Sequence, residues 1–322
     1  MEHVPWDGFH FMDLIFPLFL FIAGVSFPFS LDKRRENNQS DRVIYKHSFK
    51  RVVTLIILGL IYNGLLKLDL HTARYASVLA HIGIAWFIAS IIFMNVKRNI
   101  TIIWWITGIL ISYGLLNLFV LSPNALGNNP FLPENNIVTQ FDRWFLPGVL
   151  YKGNFDPEGI LSVIPAIATA LIGMLTGRFL NSIKVKKQSI KAIILFAAGS
   201  GFVLLSFAVN LLIPFSKALW SSSFVLLTGG ISLVLLSLFF YIIDVKGFVK
   251  WAFFFRVIGM NSIVIYMAQP IVNFYGIADF FLGGLAAKFL PEYSSLLLSI
   301  GYVAACWLFL WFLYRQKIFI KV

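Results

Sequence analysis

The sequence predicts an all-α protein, a polytopic membrane helix bundle of about nine spans. Three observations lead there. The 322 residues are 59% hydrophobic and only 12% charged, with a mean hydropathy of +0.84; a soluble domain is about half apolar and about a quarter charged. Apolar stretches near the ~20 residues that cross a bilayer recur along the chain. The basic residues collect in the short loops between those stretches, and on alternate loops. The formal charge of +12 therefore orients spans, and nucleic acid is not an expected partner. The single cysteine, Cys306, lies in an apolar run. This excludes an intrachain disulfide, and no metal-ligand spacing is present, so no metal is expected. No basic stretch precedes the first apolar run, so a cleavable signal peptide is not expected. No internal repeat or low-complexity segment is visible, and residues 1–322 are read as a single membrane-embedded domain.

In order, the first span is expected over Phe11–Leu31, directly after a polar opening segment, and the second, short one over Val52–Leu66. Ala76–Met94 and Ile100–Val120 follow, then a long polar loop from Ser122 to Asp156. Further spans are expected over Gly159–Leu180, Ala192–Ile213, Trp220–Ile243 and Val257–Phe274. Gly276–Pro291 is less apolar and reads as interfacial, and Ser295–Leu313 closes the set. Roughly 20 of the 26 basic residues fall on one set of loops, beginning with Lys33, Arg34 and Arg35; Lys67, Arg74, Arg143, Lys152, Lys217 and Lys288 fall on the other. The positive-inside rule places the first set in the cytoplasm, the N-terminus outside and the C-terminus inside.

Ionisable groups at membrane depth are expensive and mark functional sites. Most here gather on the outer side, where a polar pocket would satisfy them. His3, Trp6, Asp7 and Asp13 enter the first span. A histidine titrates near neutral pH and suits a general base. Asp13 fits either that site or a helix cap. Asp156-Pro157-Glu158 combines two site-type carboxylates with a helix-start signature. Asn261, Ser262 and Tyr266 lie within the eighth expected span, where bonding to a neighbouring helix is the simpler role. The small residues Ala166, Ala170, Gly173 and Gly177 suit close helix packing, and Pro17 and Pro28 suit kinks in the first span.

The motifs carry further. His3-Val4-Pro5-Trp6-Asp7-Gly8, then Asp13-Leu14-Ile15-Phe16-Pro17, then Phe19 to Gly24 resemble the opening of the heparan-α-glucosaminide N-acetyltransferase family, and its bacterial members above all. Asp142-Arg143 with Leu146 to Leu150, Phe155 to Leu161 leading to Gly173 and Gly177, and Gly259 to Ile263 with Tyr266 agree in the same order. The resemblance implies acetyl transfer from cytoplasmic acetyl-CoA, as co-substrate, to the amine of a terminal amino sugar on the periplasmic face of the inner membrane. On it, His3 is the base or acetyl relay, Asp13 orients that imidazole or binds sugar, and Asn261 donates to the thioester oxygen. Trp6, Asp7, Asp156, Glu158, Ser262 and Tyr266 are expected against the acceptor, and Arg51, Arg178 and Lys250 against the CoA phosphates. The family ordinarily places one span before the histidine. The chain opens at Met1 directly ahead of the motif, so that helix is expected to be absent; a longer chain carrying it would have about ten spans and a cytoplasmic N-terminus. Expected partners are a glycan acceptor and the bilayer, with a homodimer left open. Two other classes remain, a transporter or exporter of a sugar or glycolipid and a membrane scaffold. They differ from the enzyme in binding no acetyl-CoA.

Overall fold

The computed structural model describes residues 6–67, 73–182, 185, 187–289 and 291–319. Among them are twelve α-helices and no strand, only two isolated antiparallel bridges, Arg74 with Gly148 and Leu121 with Asn136. Seven helices are long and apolar enough to cross a bilayer. Helices satisfy every backbone group internally, which lipid requires. The chain is a polytopic helical membrane protein that divides into two compact units, Met1–Tyr241 and Ile242–Val322.

The first unit holds α1 (Phe11–Glu36), α2 (Asp41–Tyr62), α3 (Val78–Asn95), α4 (Asn99–Phe119), α5 (Ile137–Phe145), α6 (Val163–Asn181), α7 (Gln188–Asn210) and α8 (Ser222–Phe240). α6 is its axis: 72% of its apolar stretch is buried, against 22% for α7 at the edge. The small residues explain why. A Cβ on Gly173 or Gly177 would strike the carbonyls of Phe21 or Val25, and one on Gly24 would strike that of Ala170. α1 and α6 therefore meet backbone to backbone, the contact small residues permit in membranes. Gly199 of α7 and Gly230 of α8 face each other's carbonyls in the same way.

α1 and α6 run parallel, since Gly173 meets the Phe21 carbonyl and Gly177 that of Val25, and two ends of the unit can be defined by contact. At one end the last turn of α1, the end of α3, the ends of α4 and α6 that adjoin it and the start of α7 are tied by side chains. Asn181 donates to Asp32 at 2.6 Å, Arg178 donates to Asn99 at 3.0 Å, and the Lys191 ammonium donates to the Leu180 carbonyl at 2.6 Å. At the other end lie the start of α1, the end of α2, the start of α3 and the segment leading into α6.

Two boundaries of the first unit differ from expectation. α2 begins at Asp41, not near Val52, and its first half carries Lys46, His47, Lys50 and Arg51, so it is not among the seven strongly apolar helices. α6 begins at Val163 because Asp156 to Ser162 forms turns instead of helix. The helix-start reading of Asp156-Pro157-Glu158 is thereby corrected: Ser162 precedes α6, and Asp156 binds elsewhere.

The second unit contains α9 (Phe253–Met260), α10 (Ser262–Ala268), α11 (Phe274–Phe289) and α12 (Ser294–Arg315). The expected eighth span is broken at Asn261, whose backbone (φ −134°, ψ 35°) is not helical. The segment expected at the interface is mostly the helix α11, with Ala278 and Leu282 packed on Gly301 of α12. Trp307 of α12 stacks on Phe254 of α9 and donates to its carbonyl at 3.2 Å.

Candidate active site

The end of the first unit where α1 begins is built from short polar links. The Asn63 amide, at the end of α2, donates to the carbonyls of Arg74 and Ala76 at 3.1 and 2.6 Å. This fixes the segment before α3. Ser77 then caps α3 by accepting from the Ala80 N–H at 3.2 Å. The Val149 N–H donates to Ala73 O, so the segment is pinned from its other side as well. Arg74, held in this way, faces the turn before α6. Its Nε donates to Asp156 Oδ2 at 2.7 Å and its Nη2 to Asp156 Oδ1 at 2.5 Å, a bidentate fork, and Nη2 also contacts Glu158 Oε2. The Tyr151 ring lies 5.0 Å from the guanidinium. Asp156 in turn accepts from the N–H groups of Tyr151 and Glu158, at 3.2 and 3.1 Å.

Asp13 caps its helix, one of the two roles that the sequence left open. It lies in the first turn of α1, fully buried, and its Oδ2 accepts from the His10 N–H at 2.9 Å, so it caps the helix. Its Oδ1 lies 3.8 Å from the Lys217 ammonium. Lys217 comes from the tight turn between α7 and α8, closed by the Ser221 N–H donating to Ser216 O at 3.1 Å. The Gly8 N–H donates to Phe215 O at 2.7 Å, which ties the opening segment to the same turn. Trp6 donates from Nε1 to Phe131 O and packs edge-on against Phe155 at 4.9 Å, while Asp7 is exposed. Asp142, on α5, accepts from the Ile160 N–H at 2.8 Å, and its carboxylate occupies the space that a Cβ on Gly159 would take.

The result is a continuous cluster of four buried carboxylates, Asp13, Asp142, Asp156 and Glu158, facing two cations, Arg74 and Lys217. Its electrostatics follow from that imbalance. Burial pushes the Asp142 carboxyl up to about 7, partly opposed by the Ile160 N–H and reinforced by Asp156. Burial raises Glu158 as well, against the pull of Arg74. Burial lowers the Lys217 ammonium, while Glu158 and Asp13 act to keep it charged. Burial also works against Arg74, but its two carboxylates more than offset this and hold it charged. Burial in a low-dielectric site is the largest cause of these shifts, and the neighbouring charges oppose or reinforce it.

The remaining expected residues fall into three groups. His3 lies outside the described residues. Asn261, Ser262 and Tyr266 belong to the second unit, where the Asn261 amide donates to Ile318 O at 3.0 Å. Of the expected CoA contacts, Lys250 is exposed in the second unit, and Arg178 donates into the carbonyls that end α3, including Phe93 and Val96 at 3.4 and 3.5 Å. Arg51 lies over the Trp86 ring at 4.4 Å with its Nε unpartnered among the described residues. Sequence reasoning placed Arg74, Lys217 and Asp142 on the right side but assigned them no role. The available signal was that cations are scarce on that side, so those present needed a reason to be there.

A membrane helix bundle with a buried, carboxylate-rich ion-pair cluster at one end is the class of protein that this geometry defines. The family model for the heparan-α-glucosaminide N-acetyltransferase catalytic region matches residues 3–208, and the chain belongs to that family. The heparan-α-glucosaminide N-acetyltransferase of Homo sapiens is 27% identical over 100% of this chain and 56% of its own length. That of Mus musculus is 26% identical over the same shares. The chain thus spans about half the length of these curated relatives. The whole carboxylate cluster except Lys217 lies inside the matched region.

Proposed function

We propose that the chain transfers an acetyl group from acetyl-CoA to the amine of a terminal, glucosamine-like amino sugar. In this reading the acceptor binds at the Asp13–Arg74 end, on the periplasmic face of a bacterial inner membrane, and acetyl-CoA arrives from the cytoplasm. The observation that carries it is the surplus of buried carboxylates within the region that matches the family. An amino sugar is a cation at neutral pH, and a buried site with more carboxylates than cations favours it. The amine must then lose its proton before attack. His3, matching the family histidine, takes that proton as general base. The amine nitrogen bonds to the thioester carbon and the C–S bond breaks; of the two protons that the ammonium gives up, one ends on the departing CoA sulfur and the other passes to water. Asp13 supports the acceptor side through its position beside Lys217. At the far end Arg34, Lys50 and Arg51 act together on His47, a concentration of positive charge suited to the CoA phosphates. The positive-inside rule supports this orientation, with the N-terminus periplasmic and the C-terminus cytoplasmic.

Acetyl transfer in detergent, with labelled acetyl-CoA and a panel of amino sugars, tests the reading on wild type and His3→Ala. Transfer that His3→Ala abolishes while acetyl-CoA binding persists is the expected result. Sugar flux in vesicles without acetyl transfer or acetyl-CoA binding would overturn it in favour of a transporter.

A further inference from the structure

His81 lies one turn into α3 and is 1% exposed. Neither of its ring nitrogens has a well-formed hydrogen bond among the described residues, although the Glu158 backbone and the Asp156 charge act on the ring. A neutral imidazole always carries one N–H donor and one acceptor nitrogen. A buried polar atom without a well-formed hydrogen bond costs stability. The rings packed on it are apolar: Phe16 edge-on at 5.3 Å and Trp220 at 5.1 Å. A phenylalanine would fill the same space without leaving polar atoms behind.

Trp220 is a second irregularity at the same point. It is fully buried and has φ +51°, a left-handed backbone that is strained for a bulky residue. It belongs to the turn that delivers Lys217 to Asp13. An orphaned imidazole and a strained aromatic therefore meet beside the carboxylate cluster, and each costs stability where it stands.

We propose that His81 binds the acceptor: one hydroxyl of the amino-sugar ring accepts from the imidazole N–H or donates to its other ring nitrogen, while the apolar face of the sugar lies on Trp220. This rests on the acetyl-transfer reading and names the acceptor seat within it. An imidazole suits a sugar hydroxyl because it both donates and accepts, and an indole face suits the C–H face of a pyranose.

The test compares wild type, His81→Phe and His81→Gln for glucosamine binding, acetyl-transfer kinetics and thermal unfolding in detergent. His81→Phe should raise the acceptor KM and Kd roughly 10-fold or more, with the KM for acetyl-CoA unchanged and Tm equal to or above that of wild type. His81→Gln, which keeps a donor and an acceptor, should recover most of the acceptor affinity. An unchanged acceptor KM and Kd in His81→Phe would overturn the proposal, as would a loss of acceptor affinity in His81→Gln as large as that in His81→Phe. Glucosamine binding that His81→Phe weakens, with no acetyl transfer by wild type, would overturn the transfer reading and leave the seat standing. No binding by wild type would overturn both.

Discussion

The two ends of the first unit treat charge in opposite ways. At the end where α1 begins, four buried carboxylates face two partly buried cations, and Arg74 alone grips two of the acids. At the other end Lys33, Arg34 and Arg35 close α1 in the open, and Arg35 meets Asp41 at 3.2 Å with both side chains about half exposed. Exposed charge on membrane loops is cheap and fixes orientation. Buried charge is expensive and persists where partners or ligands hold it. The difference teaches where to look for chemistry: not where charged residues are most numerous, but where they are fewest and deepest.

The sharpest way to break this contrast is Arg74→Met. It strands Asp156 and Glu158 without their cation, and removing one partner of a buried pair costs about 3–5 kcal/mol. Thermal unfolding in detergent should show the largest loss of any charge substitution in the chain. A loss no greater than that of Arg35→Ser would mean that the two ends do not differ. Next come Asp13 and Lys217. Asp13→Asn and Lys217→Met should each lower stability by about 1–3 kcal/mol, with the double variant milder than the sum because the pair is coupled. Strict additivity would show that the 3.8 Å approach carries no interaction.

A subtler effect is the pH response. Asp142 has a carboxyl raised from 3.8 to about 7. Its neutral form is the one the fold favours, so its contribution is complete below the unfolded value and is lost as pH rises through about 7. Asp142→Asn should remove that decline, so wild type should lose Tm relative to the variant as pH rises from 3.8 to about 7, with the two curves parallel above that. Parallel curves across that window would show that the Asp142 carboxyl is not raised. The smallest effect belongs to the basic end: Lys33→Ser should stay within about 0.5 kcal/mol of wild type, read by the same unfolding assay.

Much of this was legible in the chain. The apolar runs located α1, α3, α4, α6, α7, α8 and α12, because hydrocarbon thickness dictates their length. The small residues of α6 announced a close helix contact, and Gly173 and Gly177 make it. Two helices resisted. α2 hides because its first half is charged, and the break at Asn261 hides because a polar residue within an apolar run looks the same whether the helix bends there or continues. In the site, Asp13, Asp156 and Glu158 were visible as acids near membrane depth. Their pairing was not, since Arg74 lies 82 residues from Asp156 and only the folded chain brings them together. The turn chemistry that turns Asp156 away from capping α6 is local, but Pro157 disguises it as a helix start.

The interlocked backbones of α1 and α6 also have a mechanical meaning. With carbonyls seated where Gly24, Gly173 and Gly177 lack side chains, the two helices cannot slip past each other by a fraction of a turn without collision. They form one stiff beam running between the two ends of the first unit. Any rearrangement that admits a large substrate must leave that beam whole and come from the elements around it.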